Sequence, residues 1–356
     1  MRHANSMIQI LLRTAQTIAI SALGGGAATL LGLPAGWLMG GALAVTGAAM
    51  AGFRVSLPPW LQTTIFILIG MSMGASVAPD SLQLLWSWPV SLLALAVELV
   101  LIIVLTGAML VRVFKLDRGT AYLSSFPGHL SFVMSIAAAG VGDARQIVTI
   151  QVIRIFMLTI AVPIGSMFLP IDHFEPVARG AVLPLWQVLA LAGACVLGGL
   201  LFTRLKVPAA FVLGAMAVST AARLGGFYVD ALPGPLVTIT FILTGALIGS
   251  RFAGVSRREF ASAAKGGLVA TAMTVAIVSL IAYLVSLVVD MPYGQIWLGL
   301  SPGALEGMGA LGIALGYDTA FIAAHHVIRL LMLSLAIPLV VVLVKRYELR
   351  QGRSEG

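Results

Sequence analysis

Two proline-glycine breaks in this chain carry the polar groups from which a solute or ion site is built. The first reads Ser125-Phe-Pro127-Gly128-His129-Leu-Ser131, and the second Ser301-Pro302-Gly303-Ala-Leu-Glu306. Proline lacks an N–H and fixes φ, and glycine tolerates positive φ, so each pair ends a helix and frees backbone groups. Around those groups stand serine hydroxyls, one imidazole and one carboxylate. His129 and Glu306 have no like partner in the other stretch, which suits a dipolar solute or proton uptake through an imidazole of ordinary pKa about 6.5. The competing reading is a pair of buried kinks whose serines only satisfy the backbone.

Four further charges recur with the breaks. Arg154 and Arg329 each follow an aspartate, Asp143 or Asp318, by eleven residues, about three helical turns. Two readings stay open. The arginines form an anion clamp, since guanidinium grips carboxylate or phosphate through paired bonds, or they pair with the aspartates as struts. Glu98 sits in the middle of an apolar run, where an unpaired carboxylate is costly and proton coupling is a reason to keep it. His325 and His326 are adjacent, hence about 100° apart on a helix, and their i+4 neighbours are not ligands; His326 reads as a hydrogen-bonded or proton-relaying group. The five histidines do not form a cluster, with His3 and His173 in a tail and a loop, and the single Cys195 lies in an apolar run. No metal, cofactor or enzymatic activity is expected.

The elements that must position these groups follow from composition. Hydrophobic residues make up 60% of the chain and charged residues 10%, and the mean hydropathy is +1.05. Soluble domains carry about 25% charged residues, so the chain is an all-α polytopic membrane protein. The net charge of +8 comes from Lys and Arg scattered between apolar runs, which excludes a basic face for nucleic acid and fits cytoplasmic loops. Glycine runs such as Gly24-Gly25-Gly26 have no preceding strand and read as helix-packing sites, not a nucleotide loop. Trp60, Trp86, Trp88 and Trp186 read as interface anchors.

The chain is duplicated. Pro127 and Pro302, Gly128 and Gly303, Asp143 and Asp318, Arg154 and Arg329, and Pro163 and Pro338 all pair at one numbering offset, 175. Gly70 and Gly74 meet Gly245 and Gly249 at the same offset, while Gly24, Pro34 and Gly40 meet Gly198, Pro208 and Gly214 at 174. Each half reads as six apolar segments: 8–31, 34–52, 58–77, 86–112, 119–141 and 144–169, then 182–203, 208–224, 233–252, 262–289, 293–316 and 318–344. A crossing needs about 20 residues, so all twelve are candidates. Twelve crossings would put the Arg112/Lys115/Arg118 cluster and the C-terminal basic tail on opposite sides, against the positive-inside rule. The conflict disappears if 119–141 and 293–316 are re-entrant hairpins. Five crossings per half then invert the second half, as in secondary transporters with inverted repeats. The expected organisation is a first membrane repeat over 1–175, a second, inverted repeat over 176–345 and a cytoplasmic tail over 346–356. The two tips are expected to meet near the midplane, where irregular backbone is tolerated only inside protein or beside a wet cavity.

At these duplicated residues and proline-glycine tips the chain resembles the AbrB family of bacterial membrane proteins over nearly its whole length. The run Phe66 to Pro89 is similar, more distantly, to carriers of the bile-acid, glutamate and cation-antiporter kinds. The resemblance implies a transporter in the bacterial inner membrane, and the positive-inside rule with five crossings per half puts both termini in the cytoplasm. Some members carry an ammonia monooxygenase label, and one has been linked to gene regulation. The function expected is therefore secondary transport of a small solute, the alternatives being a membrane monooxygenase or a regulatory membrane protein. The expected partners are the solute and the lipid bilayer, with no nucleic acid, and a homodimer is compatible with the sequence.

Overall fold

The computed structural model describes residues 2–33, 35–77, 88–128, 133, 136–137, 140–166, 181–253 and 257–352; for 2–7, 156, 159–166, 257–264 and 345–352 it describes the backbone alone. Thirteen helices are seen among these residues: α1 (Arg2–Leu30), α2 (Gly36–Met50), α3 (Pro59–Ala75), α4 (Trp88–Phe114), α5 (Arg118–Ser125), α6 (Ala144–Ser166), α7 (Leu185–Arg204), α8 (Ala210–Leu224), α9 (Gly234–Ser250), α10 (Arg257–Ser286), α11 (Tyr293–Leu300), α12 (Leu305–Leu315) and α13 (Thr319–Gly352). Described strands are absent. The protein is an all-α membrane protein.

Proline sets many of the starts. Pro58, Pro184, Pro233 and Pro292 sit immediately before α3, α7, α9 and α11, where a missing N–H costs nothing and φ is already helical. Asp117 caps α5 by accepting a 2.8 Å bond from the Thr120 N–H. Ala35 and Ala209, equivalent positions in the two halves, both take φ of 51° just before α2 and α8. The bounds of α3 and α9, and those of α5 and α11, recur at the sequence offset of 175.

The chain divides into two compact units. The first comprises Met1–Trp86, Thr159–Val255 and Leu305–Ala323, and the second Ser87–Leu158, Ser256–Ala304 and Ala324–Gly356. In the first unit, glycines let helices touch. A Cβ at Gly24 would collide with the Gly40 carbonyl of α2, and one at Gly198 with that of Gly214. The glycines of α3 face Val212 and Met216 of α8, while those of α9 face Leu38, Ala42 and Val45 of α2. Each half thus lends its third helix to the other half's second. Polar ties follow the same exchange: the Ser219 hydroxyl donates to the Met71 carbonyl at 2.8 Å, and that of Ser21 to Ile242 at 2.7 Å.

The second unit holds α4, α5, the first part of α6, α10, α11 and most of α13. The outward faces of these helices carry exposed Leu93, Val100, Leu280, Leu335 and Leu339. Apolar surface on this scale is unfavourable in water and natural in lipid. Charge, by contrast, is turned inward: Glu98, Arg154 and Arg329 are 0%, 5% and 2% exposed.

Among the described residues, four helices are long and apolar enough to cross a membrane: Trp88–Phe114, Leu185–Arg204, Lys265–Ser286 and Thr319–Val344. Several of the twelve candidate segments form shorter helices. Helices α2, α3, α8 and α9 have 15 or 17 residues, roughly 22–26 Å at 1.5 Å per residue. The segment 293–316 is two helices of 8 and 11 residues, broken at Ser301.

Candidate functional site

The two proline-glycine breaks share one local geometry. Phe126 and Ser301, equivalent at an offset of 175, end α5 and α11 in extended backbone. In each, the glycine N–H two residues on donates back across the proline, Gly128 to Phe126 at 3.0 Å and Gly303 to Ser301 at 2.9 Å. These are three-residue turns closed around Pro127 and Pro302. They leave the preceding carbonyls without helical donors, since an α-helix ends with its last four C=O groups unpaired.

Arginine takes up several of those carbonyls. The Arg329 Nη1 on α13 donates to the carbonyls of Leu300, at 3.1 Å, and Ser301. The Arg154 Nη1 on α6 donates to that of Ser124 at 3.4 Å, and the Gln151 amide to that of Leu123 at 3.1 Å. The first tip also lies against α13, where a Cβ on Gly128 would be 3.5 Å from Leu333 and 3.9 Å from Leu330. Both tips are thus held on successive turns of α13 within the second unit. Arg154 and Arg329 are close enough to repel each other electrostatically.

Helix α4 closes the same region. It departs from α geometry at Ile102–Thr106, a π turn of the kind that interrupts helices at functional sites. The Ser125 hydroxyl of the first tip reaches the Ile103 carbonyl there at 3.3 Å. Glu98 lies one turn earlier, and its charge interacts through space with Arg329. Seven residues before Glu98, on the same buried face, Ser91 hydrogen-bonds the His325 Nε2 at 2.8 Å.

This region holds an unusual inventory. Both Glu98 carboxylate oxygens, the Ser124 and Ser301 hydroxyls, the Arg154 Nε and the Arg329 Nη2 are buried with no hydrogen-bond partner among the described residues. Buried polar atoms are nearly always satisfied, and in lipid an unsatisfied one is costlier still. Two guanidinium donors and two hydroxyls beside opened backbone are equipped to receive a polar solute.

The remaining residues singled out by the sequence are distributed differently. His129 and Ser131 lie outside the described residues. Pro302 is buried and Gly303 half-buried in the second break. Glu306 falls in the first unit, in the first turn of α12, where it forms an ion pair with Arg251 at the end of α9. Asp143 does not serve as a strut for Arg154. It is exposed and caps α6, its Oδ1 accepting from Arg145 N–H at 2.8 Å and its Oδ2 from the Gln146 amide at 3.1 Å. Asp318 likewise accepts from the Ala320 N–H at 2.8 Å. His326 is buried. Among the described residues no group of three or more His, Cys, Asp or Glu side chains is placed to hold a metal ion.

Arg251 and Ser91 were not singled out by the sequence. The former reads as one more loop charge. The latter has a signal, its seven-residue spacing from Glu98, which puts both on one helix face. The ion pair is testable: Arg251→Ala costs about 1–2 kcal/mol, read as a lower Tm in detergent, and the swapped double Arg251→Glu with Glu306→Arg recovers most of it.

A family model described as transition state regulatory protein AbrB matches residues 37–345. The chain belongs to the AbrB family. AbrB-family relatives agree over most of their lengths. The chain is 26% identical over 366 residues, 92% of each chain, to the uncharacterized protein YhjN of Bacillus subtilis (strain 168). It is 23% identical over 322 residues to the "Putative regulator AbrB" of Escherichia coli (strain K12), covering 88% of this chain and 91% of that one.

Proposed function

We propose that this AbrB-family protein is a secondary transporter of a small solute, not an enzyme, and that the solute binds where the two tips meet Arg154 and Arg329. The observation that carries the reading is the set of buried, unpartnered donors at that place. A purely structural kink would spend its arginines and serines on the backbone and leave none over. Here each arginine binds tip carbonyls with one nitrogen and keeps another unpartnered.

The proposed architecture is two inverted repeats, each with five crossings and a re-entrant hairpin, in the bacterial inner membrane with both termini cytoplasmic. Two features support it. The Asp143 N–H donates to the Thr120 hydroxyl at 2.6 Å, so the chain that leaves at the start of α5 is back beside it at the start of α6, as a re-entrant segment requires. The exchange of third helices between α2 and α8 suits a two-fold relation between repeats. The binding half of the proposal is tested by thermal unfolding of purified protein against a metabolite panel. At least one solute raises Tm, since a ligand stabilises the state it binds, and Ser301→Val removes that shift. A panel with no hit, or a shift unaltered in the variant, goes against the reading.

The name of the E. coli relative favours a second reading, a regulatory membrane protein. A regulator binds its solute and moves nothing, so flux separates the two.

A further inference from the structure

We propose that this site takes a small oxyanion of the carboxylate or phosphate kind together with one proton, which Glu98 carries. The inference rests on the solute site just proposed and adds its substrate class and coupling.

The donors define the anion. Arg154 Nε, Arg329 Nη2, Ser124 Oγ and Ser301 Oγ are all hydrogen-bond donors, all buried and all unpartnered among the described residues. Guanidinium nitrogens bind carboxylate and phosphate through short, charge-assisted bonds. A cation has nothing to gain between two arginines, and an apolar solute would leave the donors unsatisfied.

Glu98 supplies the coupling. Its two oxygens make no hydrogen bond among the described residues, although Arg329 is near enough to act on it through space. A structural carboxylate would be bonded to its arginine. Instead the arginine's bonds run to the Leu300 and Ser301 carbonyls, and Glu98 is left as a counter-charge to Arg329. An incoming anion must share that arginine with Glu98. Two negative charges so close and so far from water are unfavourable, so Glu98 takes up a proton as the anion arrives. The charge count agrees. Empty, the site holds two arginines and one carboxylate; loaded with a monoanion and a proton, it carries the same net charge, so binding adds none to the buried interior.

Other titratable groups near Glu98 are few. From α13 come Arg329, which acts on Glu98 through space, and His325, bonded to Ser91 two turns before Glu98; Arg154 of α6 interacts with Arg329, and His326 is buried on α13. Between Gly266 and Ser286, α10 carries a single titratable side chain, the exposed Tyr283.

The test uses the purified full chain in detergent with four probes: acetate, lactate, succinate and inorganic phosphate. Calorimetry across a pH series gives affinity, and an indicator dye in weakly buffered solution gives protons taken up. At least one probe binds with one proton per anion, and its affinity falls about tenfold per pH unit on the alkaline side. The four arms separate carboxylate from phosphate. Glu98→Gln, which cannot ionise, loses both the proton uptake and the slope and binds more tightly than wild type at alkaline pH. Glu98→Asp keeps the uptake, which guards against a misfolded Gln variant. Binding by none of the probes, binding without proton uptake, or the same slope in Glu98→Gln overturns the inference. In reconstituted vesicles, proton-linked binding without flux overturns the transporter reading and leaves this one standing; flux indifferent to pH does the reverse.

Discussion

Arg329→Lys loses solute uptake roughly a hundredfold while the protein still folds and inserts. The guanidinium does two things at once: Nη1 holds the Leu300 and Ser301 carbonyls of the second tip, and Nη2 is left over. A lysine ammonium keeps the charge that faces Glu98 but has no planar fork with which to hold the tip and present a second donor. Arg154→Lys has a smaller effect, because its contact with the Ser124 carbonyl is long, at 3.4 Å. Arg329→Leu goes further, leaving Glu98 and two carbonyls without their cation, a loss of about 3–5 kcal/mol. Uptake in vesicles and Tm in detergent are measured on all three variants. Wild-type uptake in both lysine variants would rule out any role for the guanidinium fork.

Gly142→Val prevents folding of the first hairpin. Gly142 has φ of +77°, and a Cβ there would lie 2.6 Å from the Thr120 nitrogen and 2.8 Å from the Gly119 carbonyl carbon. Left-handed backbone and a clash with main chain add to about 2–6 kcal/mol, at the point where α5 and α6 start side by side. The control is Gly140→Ala, where φ is +90° but no atom lies within 4 Å. It loses only the backbone term, about 1–2 kcal/mol. Monodispersity after purification and Tm measure both. A monodisperse Gly142→Val with wild-type Tm would mean that the hairpin base is not packed as described.

Much of this was legible in the sequence, because prolines, glycines and lone charges carry position-specific meaning in an apolar chain. The two tips could be paired from Pro127 and Pro302, and their turns share one hydrogen-bonding pattern. The arginines were found by duplication alone. What the sequence did not reveal depends on three-dimensional register. Asp143 and Arg154 are about three turns apart on a single helix line, a spacing that suggests a tie between hairpin and helix. Yet Asp143 precedes the first turn of α6 and serves its own N–H groups there, as short polar side chains do. Glu306 reads as a tip residue because it follows the second break by three positions. Its partner Arg251 belongs to the end of a different helix, far back in the chain, and in sequence is indistinguishable from a loop charge. The π turn at Ile102–Thr106 has no proline or glycine inside it to announce it. The short helices α2 and α8 were overestimated because apolar residues just before them extend the hydropathy runs, although Ala35 and Ala209 take left-handed backbone there and the helices start only after them.

The most direct test of the central claim is solute flux into vesicles reconstituted with the purified protein, under an imposed inward proton gradient. Whichever of acetate, lactate, succinate or phosphate raises Tm is supplied outside with a radiolabel. The account predicts accumulation above the outside concentration, lost when the proton gradient is collapsed and lost in Arg329→Lys. A protein that binds the anion through Arg329 yet moves none of it in either direction would contradict the account and leave a solute-sensing regulator in its place.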